Sequence, residues 1–327
     1  MPLTRDTAHA PLRHAVEDEL RALFGAGRLD LPLPGGGATP QRWDALAALG
    51  RVDLALARLA EGHADAVAIL AEAGRTPDPA ALYGVWAARP GDVGADLGAG
   101  LLLDGTVRFC SGAHAVDRAL VVAGDPAGRR LVDVAVRREG VRPDPTSWRS
   151  AAMAAADTLD VRFDAVAVGR EDLVGRPGWY VDRPGFAIGG GGVAAVWWGG
   201  AAGLLDRAVT HLPASPDAHQ LAHLGELDAL LDATGAQLSR AAAGVDADPA
   251  ADHALRVARV RCAVERVVRE VLDRVPRMLG PGPLSTDADL ARTLADLGMY
   301  VRQHHGERDH AGLGAARLAA AGRGDAS

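Results

Sequence analysis

Apolar residues recur at helical spacing through the first 80 residues, then switch to the shorter period of strands. Ala10–Phe24 is predicted to be a helix ended by Gly25 and Gly27. Leu31–Thr39 is a Pro/Gly-rich loop, and Pro40–Leu49 and Val52–Glu72 follow as helices. In the latter, Leu54, Leu56, Leu59, Ala66, Ile69 and Leu70 form a wide apolar stripe. From Tyr83 the candidates are strands: Tyr83–Ala87, Ala99–Leu103, Thr106–Cys110, Arg118–Gly124, Arg130–Val136, Ser147–Ala152 and Leu159–Val168. Asp104-Gly105 reads as a hairpin turn between two of them, and Asp125–Gly128 as another turn. Short strands at about 8–12-residue spacing, without intervening helices, predict an antiparallel barrel or sandwich rather than a Rossmann fold.

After Pro184 the pattern is helical again, over Phe186–Thr210, His219–Ala243, His253–Leu272 and Asp287–Gln303. Pro276, Pro281 and Pro283 are expected to break the third from the fourth. Four helices of this length predict a bundle. The fold class is therefore α+β: an N-terminal helical domain over 1–81, an antiparallel β-barrel-like domain over 82–184, a C-terminal four-helix bundle over 185–315 and a tail over 316–327. Trp197, Trp198, Leu204 and Leu205 crowd one Gly/Ala-rich helix. That is more apolar surface than one layer covers, so packing of subunit on subunit is expected.

Composition narrows the chemistry. The 327 residues carry a net charge of −7 with the signs interspersed, so there is no basic stripe for nucleic acid and no polybasic face for a membrane. All 35 basic residues are arginine. Without lysine, Schiff-base chemistry and a GK[ST] phosphate loop are excluded in this chain. Cys110 and Cys262 lack metal-ligand spacing and are expected to be reduced, so no metal site is expected. No apolar leader is seen at the N-terminus, and no run reaches about 18 apolar residues without a charge or breaker. A cytoplasmic protein is expected.

Four groups of residues are candidates for chemistry. Gly190, Gly192 and Ala195 satisfy G-x-G-x-x-A, but Pro184-Gly185 truncates any preceding strand, so the glycines are expected to start a helix close to another backbone or a ligand. Glu61, His63 and Asp65 lie mid-helix, and a Glu and His two apart do not share a face. The run from Arg302 to His310 holds His304, His305 and His310. A histidine there can act as a base near neutral pH. His304 with Arg308, and His305 with Asp309, would share faces if the helix continues. Ser111 in CSGAH is a nucleophile candidate without a G-x-S-x-G elbow.

The order helices, β-module, helices resembles the acyl-CoA dehydrogenase family, with the match running from about Val52 to Gly314. Tyr83-Gly84-Val85-Trp86 is similar to that family's Y-C-[VL]-T strand. Arg108-Phe109-Cys110-Ser111-Gly112, followed by Ala115, Asp117 and Leu120–Ala123, is similar to its W-I-[TS]-N-G…A-D…LV-A segment. Val161–Val168 resembles its v-x-F-D-x-V-x-V strand, and Met278–Gly282 its I-L-G-G-x-G turn.

The resemblance implies FAD, a homodimer or homotetramer, and removal of an α-proton and a β-hydride from an acyl thioester such as an acyl-CoA. It places Tyr83, Val85, Trp86, Phe109, Cys110 and Ser111 at the flavin. Gly280 and Gly282 would lie by the adenosine part in a neighbouring subunit, with Arg277 in place of a usual glutamine. Where the commonest members carry a catalytic glutamate this chain has His304 and His305, which become the candidate bases. Val196-Trp197 replaces a T-R pair, and the R-x-x-F segment is missing at Pro213–Gln220. A histidine in that position also occurs in related flavin monooxygenases, so monooxygenation is the alternative reaction. A non-catalytic, ligand-binding or oligomerising member of the fold is the alternative outside enzymology.

Overall fold

In the computed structural model, which describes residues 5–319 and 321, three helices come first: α1 (Arg5–Gly25), α2 (Thr39–Val52) and α3 (Leu54–Glu72). Eight strands follow: β1 (Tyr83–Trp86), β2 (Ala95–Gly98), β3 (Leu102–Cys110), β4 (Arg118–Ala123), β5 (Arg130–Ala135), β6 (Val141–Asp144), β7 (Leu159–Ala167) and β8 (Leu173–Val174). The chain then returns to helices: α4 (Trp179–Asp182), α5 (Gly185–Thr210), α6 (Ala218–Ala247), α7 (Ala254–Leu279), α8 (Pro281–Thr286), α9 (Ala288–Tyr300) and α10 (Glu307–Ala319). Residues divide into two compact units, one of 5–31 and 55–186, the other of 32–54 with 187 onward. The helical lead expected as one N-terminal domain is thus shared between them. Of the expected tail, 316–319 complete α10, while 320 and 322–327, like 1–4, lie outside the described residues.

The first unit is built on β4, whose Ala-Leu-Val-Val-Ala run is buried on both faces. Ala119, Val121 and Ala123 join Val132 and Val134 of β5 against Leu103, Val107, Val161 and Phe163 of β3 and β7. Leu120 and Val122 point the other way, onto Ala66, Ile69 and Leu70 of α3. Two four-stranded sheets result, in the orders β1-β4-β5-β8 and β2-β3-β7-β6. The second is antiparallel throughout, whereas β1 pairs with β4 in parallel, so the first departs from the all-antiparallel expectation.

Two local expectations are corrected. Asp104-Gly105 is not a hairpin turn but lies inside β3, opposite Asp96 and Ala95. Gly105 sits at φ 128, where a Cβ would lie 2.7 Å from the Ala95 Cα, so the glycine lets β2 approach closely, and beside it the register of β3 against β7 slips by a bulge. The turn is instead at Ala99–Leu101, with Gly100 at φ 72. Ser147–Ala152 is not a strand either. Ser147 Oγ donates to the Asp144 carbonyl at 2.6 Å, and the Ala152 N–H donates to Ser150 Oγ at 3.1 Å. These side-chain bonds close turns in place of a ladder, and β6 falls earlier, at Val141–Asp144.

In the second unit α5 packs on α2 at backbone distance. A Cβ on Gly50 would overlap the Val196 carbonyl oxygen, and one on Gly199 or Gly203 would overlap the carbonyl of Ala47 or Arg51. A Cβ on Gly191 would run into the Trp43 ring. The G-x-G-x-x-A stretch is therefore a packing surface inside a helix. α5 is long and apolar enough, by length and composition, to cross a bilayer, contrary to the sequence reading that no such run exists. Yet 78% of its most apolar window is buried within the fold, as in a core helix. Trp197, Leu204 and Leu205 are themselves buried, so they do not call for a second subunit to cover them.

The helices α6 and α7 run antiparallel. Gln220 at the start of α6 donates to the Met278 carbonyl at 3.2 Å, and Arg274 binds Glu226 at 2.7 Å. Pro276 does not end α7. It sits in the last turn, where one lost N–H bond is tolerable, and Gly280 at φ 70 ends the helix four residues later.

Glu61 is buried on α3 and ion-paired with Arg58. Burial pushes its carboxyl up to about 7, with Asp65 adding to the shift and Arg58 opposing it. His63, two residues on, is occupied elsewhere: its Nδ1 accepts the Tyr83 N–H at 3.2 Å and its ring meets Phe24 edge-on.

Three variants test these contacts. Gly199→Ala is expected to cost about 1–3 kcal/mol or more in urea unfolding, because nothing near Ala47 can yield. Gly225→Ala, mid-helix with open space around it, is expected to gain up to about 1 kcal/mol. For Glu61, a folded-state pKa raised from the usual carboxylate value to about 7 favours the protonated form. Its contribution is complete at acid pH and is lost as pH rises through 7. The difference in urea midpoint between pH 5 and pH 8 is therefore expected to shrink in Glu61→Gln; an unchanged difference contradicts the assignment.

Candidate functional site

In the first unit, the residues expected at the flavin separate by strand periodicity. Tyr83 and Trp86 on β1 are buried, and Val85 between them is partly exposed. The Tyr83 hydroxyl accepts the Asp78 N–H at 2.9 Å. Trp86 Nε1 donates to the Ser111 carbonyl at 3.0 Å, tying β1 to the end of β3. Cys110 packs in the same core, and burial pushes its thiol pKa well up.

Between Val107 and Cys110 the β3 register slips by a bulge. Phe109 takes φ 60 there and is left exposed, with the Arg108 guanidinium 4.7 Å above its ring. A bulky residue in the left-handed region is a local cost that the surrounding sheet must hold. The structure thus brings Trp86, Cys110 and Ser111 together beneath the surface, while Tyr83 packs apart from them, with Ala66, Ile69 and Leu70 of α3. Val85 is partly buried against the Tyr83 cluster, and Phe109 is left exposed.

Ser111 does not lean on His114. Its Oγ lies 3.0 Å from Thr158 Oγ1. His114 is instead held by Asp157, whose Oδ2 receives the His114 N–H at 2.7 Å and lies 3.0 Å from Nδ1. Asp157 is buried and sits at φ 47. Burial alone would raise its pKa, but His114 and Arg13 outweigh that and keep it below the usual carboxylate value. Nothing in the local sequence around Asp157 signals this pairing.

In the second unit, α9 ends in a 3-10 turn at Val301–Gln303, and α10 begins anew at Glu307. The helix therefore does not continue, and the His304–Arg308 face does not form, although His305 Nδ1 still reaches Asp309 at 3.5 Å. His305 is exposed and His304 buried. The His304 Nδ1 accepts the Gly306 N–H at 3.1 Å, and its Nε2 has no hydrogen-bond partner among the described residues. Burial lowers the imidazole pKa, against the pull of Asp309 and Glu265, so the ring is held neutral. An N–H can only donate, so Nδ1 is the acceptor and the ring proton sits on Nε2.

Other groups around His304 carry no sequence motif. Glu265 on α7 is buried; its Oε1 binds Arg269 at 2.9 Å and its Oε2 has no partner. Arg261 donates to the Gly190 carbonyl at 2.8 Å and lies over the Trp197 ring at 4.8 Å. Trp197 Nε1 is a third buried polar atom without a partner. Cys262, set aside on spacing, comes together with His304 and His310: one ligand atom of each lies within 4.8 Å of the others. The fold closes a separation in sequence that no local spacing rule could see.

The remaining predicted residues are at the end of α7. Arg277 pairs with Asp273 at 2.7 Å on the surface. A Cβ on Gly280 or Gly282 would meet nothing within 4 Å, so both present open backbone.

No family model matches the chain, and no curated protein matches it. Among solved structures, dibenzothiophene monooxygenase TdsC from Paenibacillus sp. A11-2 superposes with a TM-score of 0.78 at 20% identity, over 96% of this chain and 95% of that one. TdsC has also been solved with FMN and indole. Methanesulfinate monooxygenase MsuC from Pseudomonas fluorescens gives 0.78 at 18% identity, over 96% and 95%. An FAD-dependent dehydrogenase gives 0.78 at 15% identity, over 95% and 98%. The chain has the fold of flavin-dependent enzymes of the acyl-CoA dehydrogenase type, with mixed α and β structure and a helical C-terminal part.

Proposed function

We propose that the chain is a flavin-dependent monooxygenase of this fold, acting on a small substrate. The observation that carries the reading is the state of His304. α,β-Dehydrogenation needs a base to take an α-proton. The only ring lone pair of His304 faces the Gly306 N–H, and the free nitrogen, Nε2, bears a proton. A buried neutral imidazole in this tautomer is a hydrogen-bond donor and proton holder, not a base. Oxygen insertion makes no demand for an α-proton acceptor.

The residues present are compatible with a flavin. Phe109 offers an exposed ring and Val85 a partly exposed side chain on one unit, on strands whose ends Trp86 and Ser111 tie together. Open backbone at Gly280 and Gly282, beside Arg277, suits the adenosine part of FAD, contributed to a neighbouring subunit of a homodimer or homotetramer. FMN would leave that turn unused. When bound and reduced, the flavin supplies the electrons and activates dioxygen. The protein's part is to orient the ring and to hold a proton at His304 Nε2.

One observation favours a second reading, FAD-dependent dehydrogenation of an acyl thioester. Glu265 Oε2 is a buried acceptor without a partner, and a carboxylate there could take a proton where His304 cannot.

The purified protein, loaded separately with FMN and FAD, separates these readings. Oxygenation of indole or organosulfur probes by the reduced flavoprotein is expected. His304→Ala is expected to lower it by roughly 10²–10⁴-fold with flavin retained. Acyl-CoA-dependent reduction of an artificial acceptor, lost in Glu265→Gln, would replace the first reading by the second. Failure to bind either flavin would leave a non-catalytic member of the fold.

A further inference from the structure

We propose that Cys262, His304 and His310 form a site for a zinc-like divalent cation, bound through one thiolate and two imidazoles. The site shares His304 with the flavin reading, but the observations for it hold whether or not the chain binds a flavin.

The donor set selects the cation. One sulfur and two nitrogens suit a borderline metal, and three protein ligands with an open fourth position are a common zinc arrangement. The three ligand atoms lie within 4.8 Å of one another, so closure onto one ion needs small side-chain movements and one backbone adjustment at Gly306. They come from three separate segments: Cys262 from α7, His304 from the loop after the 3-10 turn, and His310 from α10.

Two further observations point to a ligand. The His304 side chain is wholly buried, and its Nε2 has no partner. A buried polar atom left so is a cost to the fold unless something meets it. His310, by contrast, already has the outer contact of a metal-binding imidazole. Its Nδ1 lies 3.0 Å from the Gly306 carbonyl and donates to it, which fixes the tautomer and frees the Nε2 lone pair. His310 is exposed and gives the ion a path from solvent.

Charge around the site is mixed. Asp309 Oδ2 lies 3.9 Å from His304 Nε2 and supplies a nearby negative charge. Arg261 opposes it, but its guanidinium is directed to the Gly190 carbonyl and the Trp197 ring.

Coordination requires a proton shift at His304. Nε2 must lose its proton and Nδ1 must gain one, so the Gly306 N–H turns away; Gly306, a glycine at φ 55, can accommodate that turn. Cys262 gives its thiol proton to solvent. The cation and the proton-donor role of His304 are therefore alternative states of one nitrogen, and a loaded chain has that donor withdrawn.

Titration of the full chain with Co²⁺ tests the site. One ion per chain is expected, with the visible bands of four-coordinate cobalt and a thiolate charge-transfer band, both lost on adding Zn²⁺. Cys262→Ala and His310→Ala are each expected to weaken binding by roughly tenfold or more. His219→Ala, an exposed histidine on α6, is expected to change nothing, and circular dichroism of each variant controls for folding. Less than one retained ion per chain, six-coordinate bands, or unchanged affinity in folded Cys262→Ala would overturn the proposal.

Discussion

The second unit depends on two helices lying at backbone distance. α2 and α5 meet where Gly50, Gly199 and Gly203 each face a carbonyl oxygen of the other helix. Any side chain at those positions would force the helices apart. Close approach gains dispersion contacts along both backbones, at the expense of the helix propensity that alanine would give. From this seam other contacts extend: Trp198 donates across to the Leu231 carbonyl of α6, and Arg292 of α9 reaches back to Asp53 at 2.8 Å. Arg51 and Asp206 close the seam on the solvent side.

Near this packing, polar atoms are left over rather than paired. Trp197 Nε1, Glu265 Oε2 and His304 Nε2 are three of the buried side-chain atoms without partners among the described residues. Native interiors satisfy most such atoms, so each of the three calls for something to meet it. The first unit has two of its own, Arg130 Nε and Arg183 Nε. There Tyr83, Trp86 and Ser111 are each hydrogen-bonded, and further local cost is stored in backbone, at Phe109 and Asp157.

Much of the fold is legible in the sequence because its signals are local. The strand β7 and the helices α5, α6 and α9 follow from periodicity, and the both-faced burial of β4 from an unbroken apolar run. What failed was ambiguous locally. Asp104-Gly105 has the chemistry of a turn, but the glycine is required by a neighbouring strand. Pro276 has the chemistry of a break, but lies late enough in its helix to be tolerated. The candidate site was legible only where the chain order carried it, at Tyr83–Trp86, Arg108–Ser111 and His304. Asp157, Cys262 and Glu265 gave no signal, since their partners arrive from distant segments.

The seam between α2 and α5 also bears on the order in which the protein is made. The second unit is not continuous in sequence: Pro32–Leu54 belongs to it, and all of Ala55–Phe186 intervenes before the rest. As the chain leaves the ribosome, α2 emerges early and its glycine-faced partner long afterwards. Until then the apolar side of α2, with Trp43 and Leu46, has no native cover. Closing so long a loop costs little more entropy than closing a shorter one, but it postpones the contact. The helical C-terminal part is accordingly not a module that could have been added to or detached from this chain whole, because one of its helices was laid down before the β-strands began.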